Sequence, residues 1–281
     1  MNELPRCRSI AVGLFALGML CGSALMAQLP FREYPSMEND SLGGLPADWD
    51  VPAEFVVGRL MYPPLPGSGM RGSGNWKQGG TSWTVDYPLG DRTFASILER
   101  LTMLEVRSVE QPVDLDDGDD VFNWPFLIVG MPSSWDLTAA QADKLREYLL
   151  RGGFLLADSF FGDNEWYYFM ESMQRVFPDR PVVELPDDHA LFNVVYDFSE
   201  RKQIRNRRTL DCCGGHRGNA SGIEPHWRAI LDDDGRIMVA MSFNNDMGDS
   251  WQHADDPRYP QEDSHMGLRL GVNYVIYTLT H

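Results

Sequence analysis

The chain has 281 residues, 41 of them acidic and 24 basic, for a net charge of −17. A surface this negative repels phosphate backbones and anionic headgroups, which excludes nucleic acid as a partner and leaves cations or basic groups. With 43% apolar and 11% aromatic residues, the composition supplies a large core, and the length left after a leader is near the upper end for a single one.

Residues 1–27 have the layout of a secretory signal. Arg6 and Arg8 precede an apolar run from Ile10 to Ala27, and Gly22, Ser23, Ala24 and Ala27 supply the small residues of a cleavage site. Cleavage after Ala24 or Ala27 is expected, with export to the periplasm or beyond and no membrane span afterwards. The rival is an uncleaved anchor, since the run is just long enough to span a bilayer, but its glycines and the lack of a basic flank after Ala27 favour a removable signal. Cys7 and Cys21 leave with the leader, so only Cys212 and Cys213 stay. Adjacent cysteines cannot cross-link distant parts of a fold; a vicinal disulfide, free thiols, or metal ligation with His216 all stay open. Residues 28–52, rich in Pro, Gly and Asp and without periodicity, read as an extended lead-in to a domain over 53–281.

From residue 55 the pattern alternates between strand and helix. Residues 55–62 are an apolar strand ended by Pro63 and Pro64, and the Gly- and Pro-rich stretch 63–80 is an unusually long loop. Asp91 is placed to cap a helix carrying Phe94, Ile97, Leu98, Leu101 and Leu104. A second strand is expected over 106–113, an acidic run over 114–120, and a continuous apolar strand over 126–130. Leu137 and Thr138 open a helix that Gly152 and Gly153 stop, and residues 154–157 form the next strand. A helix over 163–177 ends at Pro178, and 182–185 is extended. Residues 226–231 and 237–243 flank an Asp-Gly turn at 232–235, a hairpin signature. A last helix over 266–279 would bury Leu268, Val272, Val275, Ile276 and Leu279.

This order predicts an α/β fold: an open, mostly parallel sheet with helices on both faces and a late antiparallel hairpin at one edge. The runs 55–61, 126–129 and 154–157 lack alternation, which predicts adjacent parallel central strands.

Strings spread over residues 53–281 resemble one bacterial family, the domain of unknown function 4159. They include Phe55 with Arg59, Leu60 and Tyr62; Trp83 with Asp86, Tyr87, Pro88 and Asp91; and residues 148–154 with Asp158. Residues 176–178, 184–189 with Phe192, and 225–228 continue the series. Asn244, Asp246, Gly248, Asp249 and Trp251 follow, then residues 255–260 and 269–274. The resemblance implies a flavodoxin-like sheet related to class I glutamine amidotransferases, in exported or membrane-associated proteins, with no established activity.

The amidotransferase reaction needs a cysteine at the turn after a central strand. Here residues 154–157 run into Asp158, Ser159 and Phe160, a carboxylate and a hydroxyl but no thiol, and the segment is not a Gly-x-Ser-x-Gly elbow. Ligands of open α/β sheets collect at the carboxyl ends of strands. Arg59, Asp86, Asp91, Asp158, Asn244, Asp246, Asp249 and Trp251 are the candidate ligand-binding residues of that rim. Asp158, Asp246 and Asp249 offer oxygen ligands to a divalent cation, and Asp158, Asp246 and His189 are the candidates for acid–base work. Asp158 is expected to meet Asn244, Asp246 or Asp249 across one cleft, with Arg59 offsetting their charge and the 63–80 loop lying over it. The bland alternative is that these residues cap helices and close turns. His226, beside Trp227 on a strand, suits a hydrogen-bonded core position. Two functions follow: a noncatalytic exported domain binding a polar small molecule or an envelope protein at the cleft, or an envelope hydrolase, glycan-directed or metal-dependent, using the same rim.

Overall fold

Apolar runs become the inner strands. The computed structural model describes residues 28–38, 44–67, 74–217 and 220–281. Within it β1 (Gly58–Met61), β2 (Gln111–Asp114), β3 (Phe126–Gly130), β4 (Phe154–Phe160), β5 (Val183–Glu184), β6 (His226–Leu231) and β7 (Ile237–Phe243) form one sheet. Their order is β2-β1-β3-β4-β7-β6-β5. Pairing is parallel from β2 across to β7 and antiparallel for β7-β6 and β6-β5. The three runs without alternation therefore lie side by side as β1, β3 and β4, parallel and away from both edges. The leader expected at 1–27 lies outside the described residues, as do residues 68–73 of the long loop.

Helices cover both faces, and the two-residue period of the strands decides which core each side chain enters. Leu127, Val129, Leu155 and Ala157 pack with Leu145 and Tyr148 of α2 (Ala139–Leu150) and with Phe169 and Met173 of α3 (Gly162–Val176). Phe126, Ile128, Phe154 and Leu156 point the other way. They meet Phe94 and Leu98 of α1 (Leu89–Leu101), Trp251 of α5 (Met247–Gln252) and Tyr274 of α6 (Gln261–Thr280). A one-turn helix, α4 (Leu210–Cys213), lies outside these layers. Thr138 opens α2 with a capping box to Gln141, worth about 1 kcal/mol.

Some elements differ from the sequence pattern, each for a local reason. The strand expected over 106–113 is only β2, with Val106 making a single bridge to Phe55. The Arg107 guanidinium folds back onto the carbonyls of Val109 and Glu110, taking acceptors a ladder would need. Pro112 suits β2 because that strand is an edge. Asp91 does not cap α1: Pro88 does, and Asp91 in the first turn is turned inward. The last helix starts at Gln261, five residues before the apolar stripe, because Pro260 precedes it and Glu262 and Asp263 suit the positive end of its dipole. Leu279, expected in the buried stripe, is 43% exposed in the final turn.

The first four strands cross in the order β2-β1-β3-β4, so the chain leaves β1 for one side and returns to the other. Such a reversal opens a crevice at the carboxyl ends of the strands. β7 joins β4 in parallel, so Asn244 and the residues after it reach the same rim as Asp158.

Candidate functional site

β4 delivers Asp158 and Ser159 to the rim. Asp158 is buried, and its two carboxylate oxygens accept from the backbone N–H groups of Met247 (3.0 Å) and Gly248 (2.8 Å), the first turn of α5. Burial, then the charge of Asp246, pushes its carboxyl up to about 8 against the pull of those donors. Ser159 sits where the β4-β7 register shifts and has a left-handed backbone, φ 61°. Its hydroxyl donates to Asp246 Oδ2 at 3.1 Å.

β7 delivers the partner carboxylates. Asp246 caps α5 by accepting from Asp249 N (3.2 Å), and Asn206 Nδ2 donates to its other oxygen (2.7 Å). Asp249 accepts from Arg207 N at 2.6 Å, and its Oδ1 stands 3.6 Å from His253 Nε2. The third carboxylate comes from Asp86, three residues before α1, again left-handed at φ 61°. Glu38 of the lead-in accepts from Asp86 N at 2.9 Å and from Gln252 Nε2 at 3.0 Å, and pairs with Arg208. Gly248 lets Asp86 in: a Cβ there would collide with Asp86 Oδ2.

Oxygens of Asp86, Asp246 and Asp249 all lie within 4.8 Å of one another. Burial holds the Asp86 and Asp249 carboxyls well above the ordinary carboxylate range. The next contributions are the charge of Asp249 on Asp86 and that of Asp246 on Asp249. Asp246 is raised by burial against the donors around it. The three open into a cavity of about 330 Å³ walled by Met37, Met131, Ser159, Glu165, Thr209 and Arg217, among others. Arg217 is held by both oxygens of Glu165, at 2.8 and 2.9 Å.

Of the candidates read from the sequence, Asp86, Asp246 and Asp249 meet. Asp158 neither joins them nor lines the cavity, and its hydrogen bonds go to the backbone of α5. Arg59 is buried in a bidentate pair with Asp91 (2.6 and 3.0 Å), and from there its positive charge reaches Asp86 and Asp158. Asn244 ties the rim together, accepting from Gly162 N (2.8 Å) and donating to the carbonyls of Ser221 and Glu224. Trp251 is fully buried, stacked on Phe94 with ring centroids 4.2 Å apart, and its indole donates to Gly267 O: it belongs to the core, not the cleft.

His189 is not brought to the cluster. Its Nδ1 accepts from Leu191 N, and its ring lies 5.7 Å from that of Tyr277, whose hydroxyl accepts from Ile237 N at the opposite end of β7. His226 is half-buried, 3.3 Å from Glu184 and stacked on Phe243. Cys212 and Cys213 form a vicinal disulfide, and His216 bonds to Gln203 instead of joining them.

Sequence reasoning missed Glu38, Asn206, Arg208, Arg217 and Glu165. Except for Glu165 in α3, they come from segments without periodicity, so no spacing signals their approach. His253 could have been found, since it lies four residues after Asp249 on the same helical face. Of the stretch 63–80, expected over the cleft, the described residues Leu65, Pro66 and Gly67 line a cavity with Ser133, Glu165 and Tyr168; among the described residues, Met37 and Glu38 of the lead-in line the cleft itself.

No curated protein matches the chain. The family described as "Domain of unknown function (DUF4159)" matches residues 74–279, a span that holds all three clustered aspartates and six of the seven strands, and the chain belongs to it.

Proposed function

We propose that this chain is an exported, noncatalytic domain that binds a polar small molecule in the strand-end cleft. The observation that carries this reading is a concentration of backbone strain. Among the described residues, the non-glycine positions with positive φ are Asp86, Met131, Ser159 and Asn244, at φ 61°, 49°, 61° and 61°. Three of them line the cavity, and the fourth precedes Asp246 by two residues. A left-handed conformation costs about 1–2 kcal/mol for an ordinary L-residue. Asp and Asn bear it more easily than Met131 and Ser159 do. Strain of this kind persists where it shapes a site. The polar lining suits a ligand with several hydrogen-bonding groups, and the paired Arg217 and Glu165 offer it both signs of charge.

A second reading, a hydrolase on the same rim, is favoured by one observation: Ser159, strained at the end of a central strand, has a carboxylate 3.1 Å from its hydroxyl. A carboxylate is a weaker base than imidazole for this purpose, which places the reading second. One experiment separates the two. Monosaccharides, amino acids and dicarboxylates are screened for a rise in melting temperature in chelator, and each is assayed for turnover on the same samples. We expect at least one compound to stabilise the chain, the effect to vanish in Thr209→Trp, which fills the cavity, and no turnover. Silence across the screen rejects the binding reading, and turnover abolished by Ser159→Ala selects the hydrolase.

A further inference from the structure

We infer that Asp86, Asp246 and Asp249 form a binding site for a hard divalent cation at the floor of the cleft. The inference deepens the reading of the cleft as a polar-ligand site and rests on it only for the cleft being open to solvent.

Three features point to an ion. The first is geometric. Oxygens from the three side chains lie within 4.8 Å of one another, and ligands at about 2.3–2.6 Å from a calcium ion span up to about 5 Å across it. The second is burial without a direct ion pair to a lysine or arginine. The three aspartates are 2%, 1% and 5% exposed, and among the described residues no lysine or arginine side chain pairs with any of them. The nearby arginines are engaged, Arg59 by Asp91, Arg208 by Glu38 and Arg217 by Glu165; Arg59 and Arg217 act on Asp86 and Asp246 only through their field, and His253 stands 3.6 Å from Asp249. Buried carboxylates this close repel unless a cation or a proton intervenes.

The third feature is an orphan acceptor. Asp86 Oδ1 is buried and, among the described residues, has no hydrogen-bond partner, although buried polar atoms are nearly always satisfied. The other two carboxylates are held by donors from outside the cluster. Ser159 and Asn206 fix one oxygen of Asp246, and Arg207 N fixes one oxygen of Asp249. Oriented carboxylates with one acceptor left over are what a metal's outer partners produce. An all-oxygen set selects calcium, magnesium or manganese over softer ions.

The test uses the full chain, stripped with chelator and dialysed. Calcium, magnesium and manganese chlorides are added singly, with sodium chloride of equal ionic strength as the control, and melting temperature and calorimetric binding are followed. At least one divalent ion is expected to raise the melting temperature by several degrees and to bind once per chain. Asp86→Asn and Asp249→Asn should each weaken that binding by at least about tenfold, while melting at or above the wild type in chelator because a repelling charge has gone. Loss of a cation response together with gained stability cannot come from misfolding. The inference is overturned if no divalent ion binds or stabilises the wild type, or if both variants keep its response. A wild type that gains stability on acidification but ignores cations would mean that a shared proton, not a metal, neutralises the cluster, and also overturns it. Polar compounds that bind in chelator while cations do nothing would leave the cleft reading standing and remove only the metal. Cation binding with an empty compound screen would do the reverse.

Discussion

At the scale of single residues, the cleft depends on what Gly248 lacks. The first turn of α5 lies so close to Asp86 that a Cβ at 248 would overlap Asp86 Oδ2 and crowd its carboxyl carbon. The neighbour cannot simply step aside: Asp86 has a left-handed backbone, its N–H is held by Glu38, and its side chain is buried. We therefore expect Gly248→Ala to lower unfolding free energy by about 1–3 kcal/mol, the usual cost of overpacking a filled interior. Urea unfolding measures it. A change within about 0.5 kcal/mol would mean that Asp86 has room to move, and that the cluster is looser than its distances indicate. The site was legible in part at this scale. Asp158, Asp246 and Asp249 read as oxygen ligands because each follows an apolar strand that has to end at the rim, but only Asp246 and Asp249 join the cluster, Asp158 being taken by the backbone of α5. Asp86 was recognised only as one polar residue among several, since nothing in the sequence says that residues 86 and 246 meet. Trp251 was misplaced for the opposite reason: a tryptophan after a polar turn has the same signature whether it stacks on a ligand or on Phe94.

At the scale of elements, Asp158 joins β4 to α5. The helix has six residues and its first N–H groups would be unsatisfied without an acceptor, which the carboxylate at the end of the neighbouring strand provides. Asp158→Ala removes both acceptors from buried donors and should cost about 1–3 kcal/mol. The same carboxyl gives a pH dependence. Burial, and after it the charge of Asp246, raises it to about 8, so the folded chain holds a proton that the unfolded chain releases at the ordinary carboxylate value of about 4. The contribution is thus full at the acid end and is lost as pH rises from about 4 through 8. Urea unfolding in chelator at pH 5 and pH 8.5 should show the wild type less stable at the higher pH, with a smaller difference in Asp158→Ala. Equal stabilities at both values, or an equal difference in the variant, would assign the titration elsewhere. Element boundaries were readable where one force dominates. β3, β4 and β7 are continuous apolar runs, and burial on both faces leaves them one arrangement. β2 was overextended because its hydrophobicity was visible and the guanidinium of Arg107 competing for its carbonyls was not.

On the scale of the whole molecule, the adjacent parallel central strands, the two helical layers and the edge hairpin follow from alternation and connection rules, whereas the cleft's walls do not. Glu38 reaches Asp86 from the lead-in, and Arg208 and Arg217 reach the cavity from the irregular stretch before β6, so these walls depend on tertiary contacts alone. The lead-in is therefore part of the folded unit. Leu29 N donates to Asp120 Oδ1 at 2.8 Å, and Tyr34 N donates to the Tyr87 hydroxyl at 3.0 Å, so the segment is tied to the domain from close behind Ala27. If the chain is cut after Ala27 or Ala24, the hydrogen bonds of Leu29, Tyr34 and Glu38 to the domain are all retained. A cut several residues further on would remove the Leu29 anchor and loosen the segment that carries Glu38. Expression in a bacterial host, followed by N-terminal sequencing of the periplasmic fraction, should therefore give a chain that begins at Gln28 or Leu25. Recovery of intact Met1 in the membrane fraction would replace the cleaved leader with an anchor, and a start beyond Leu29 would mean that the segment carrying Glu38 has lost its Leu29 anchor.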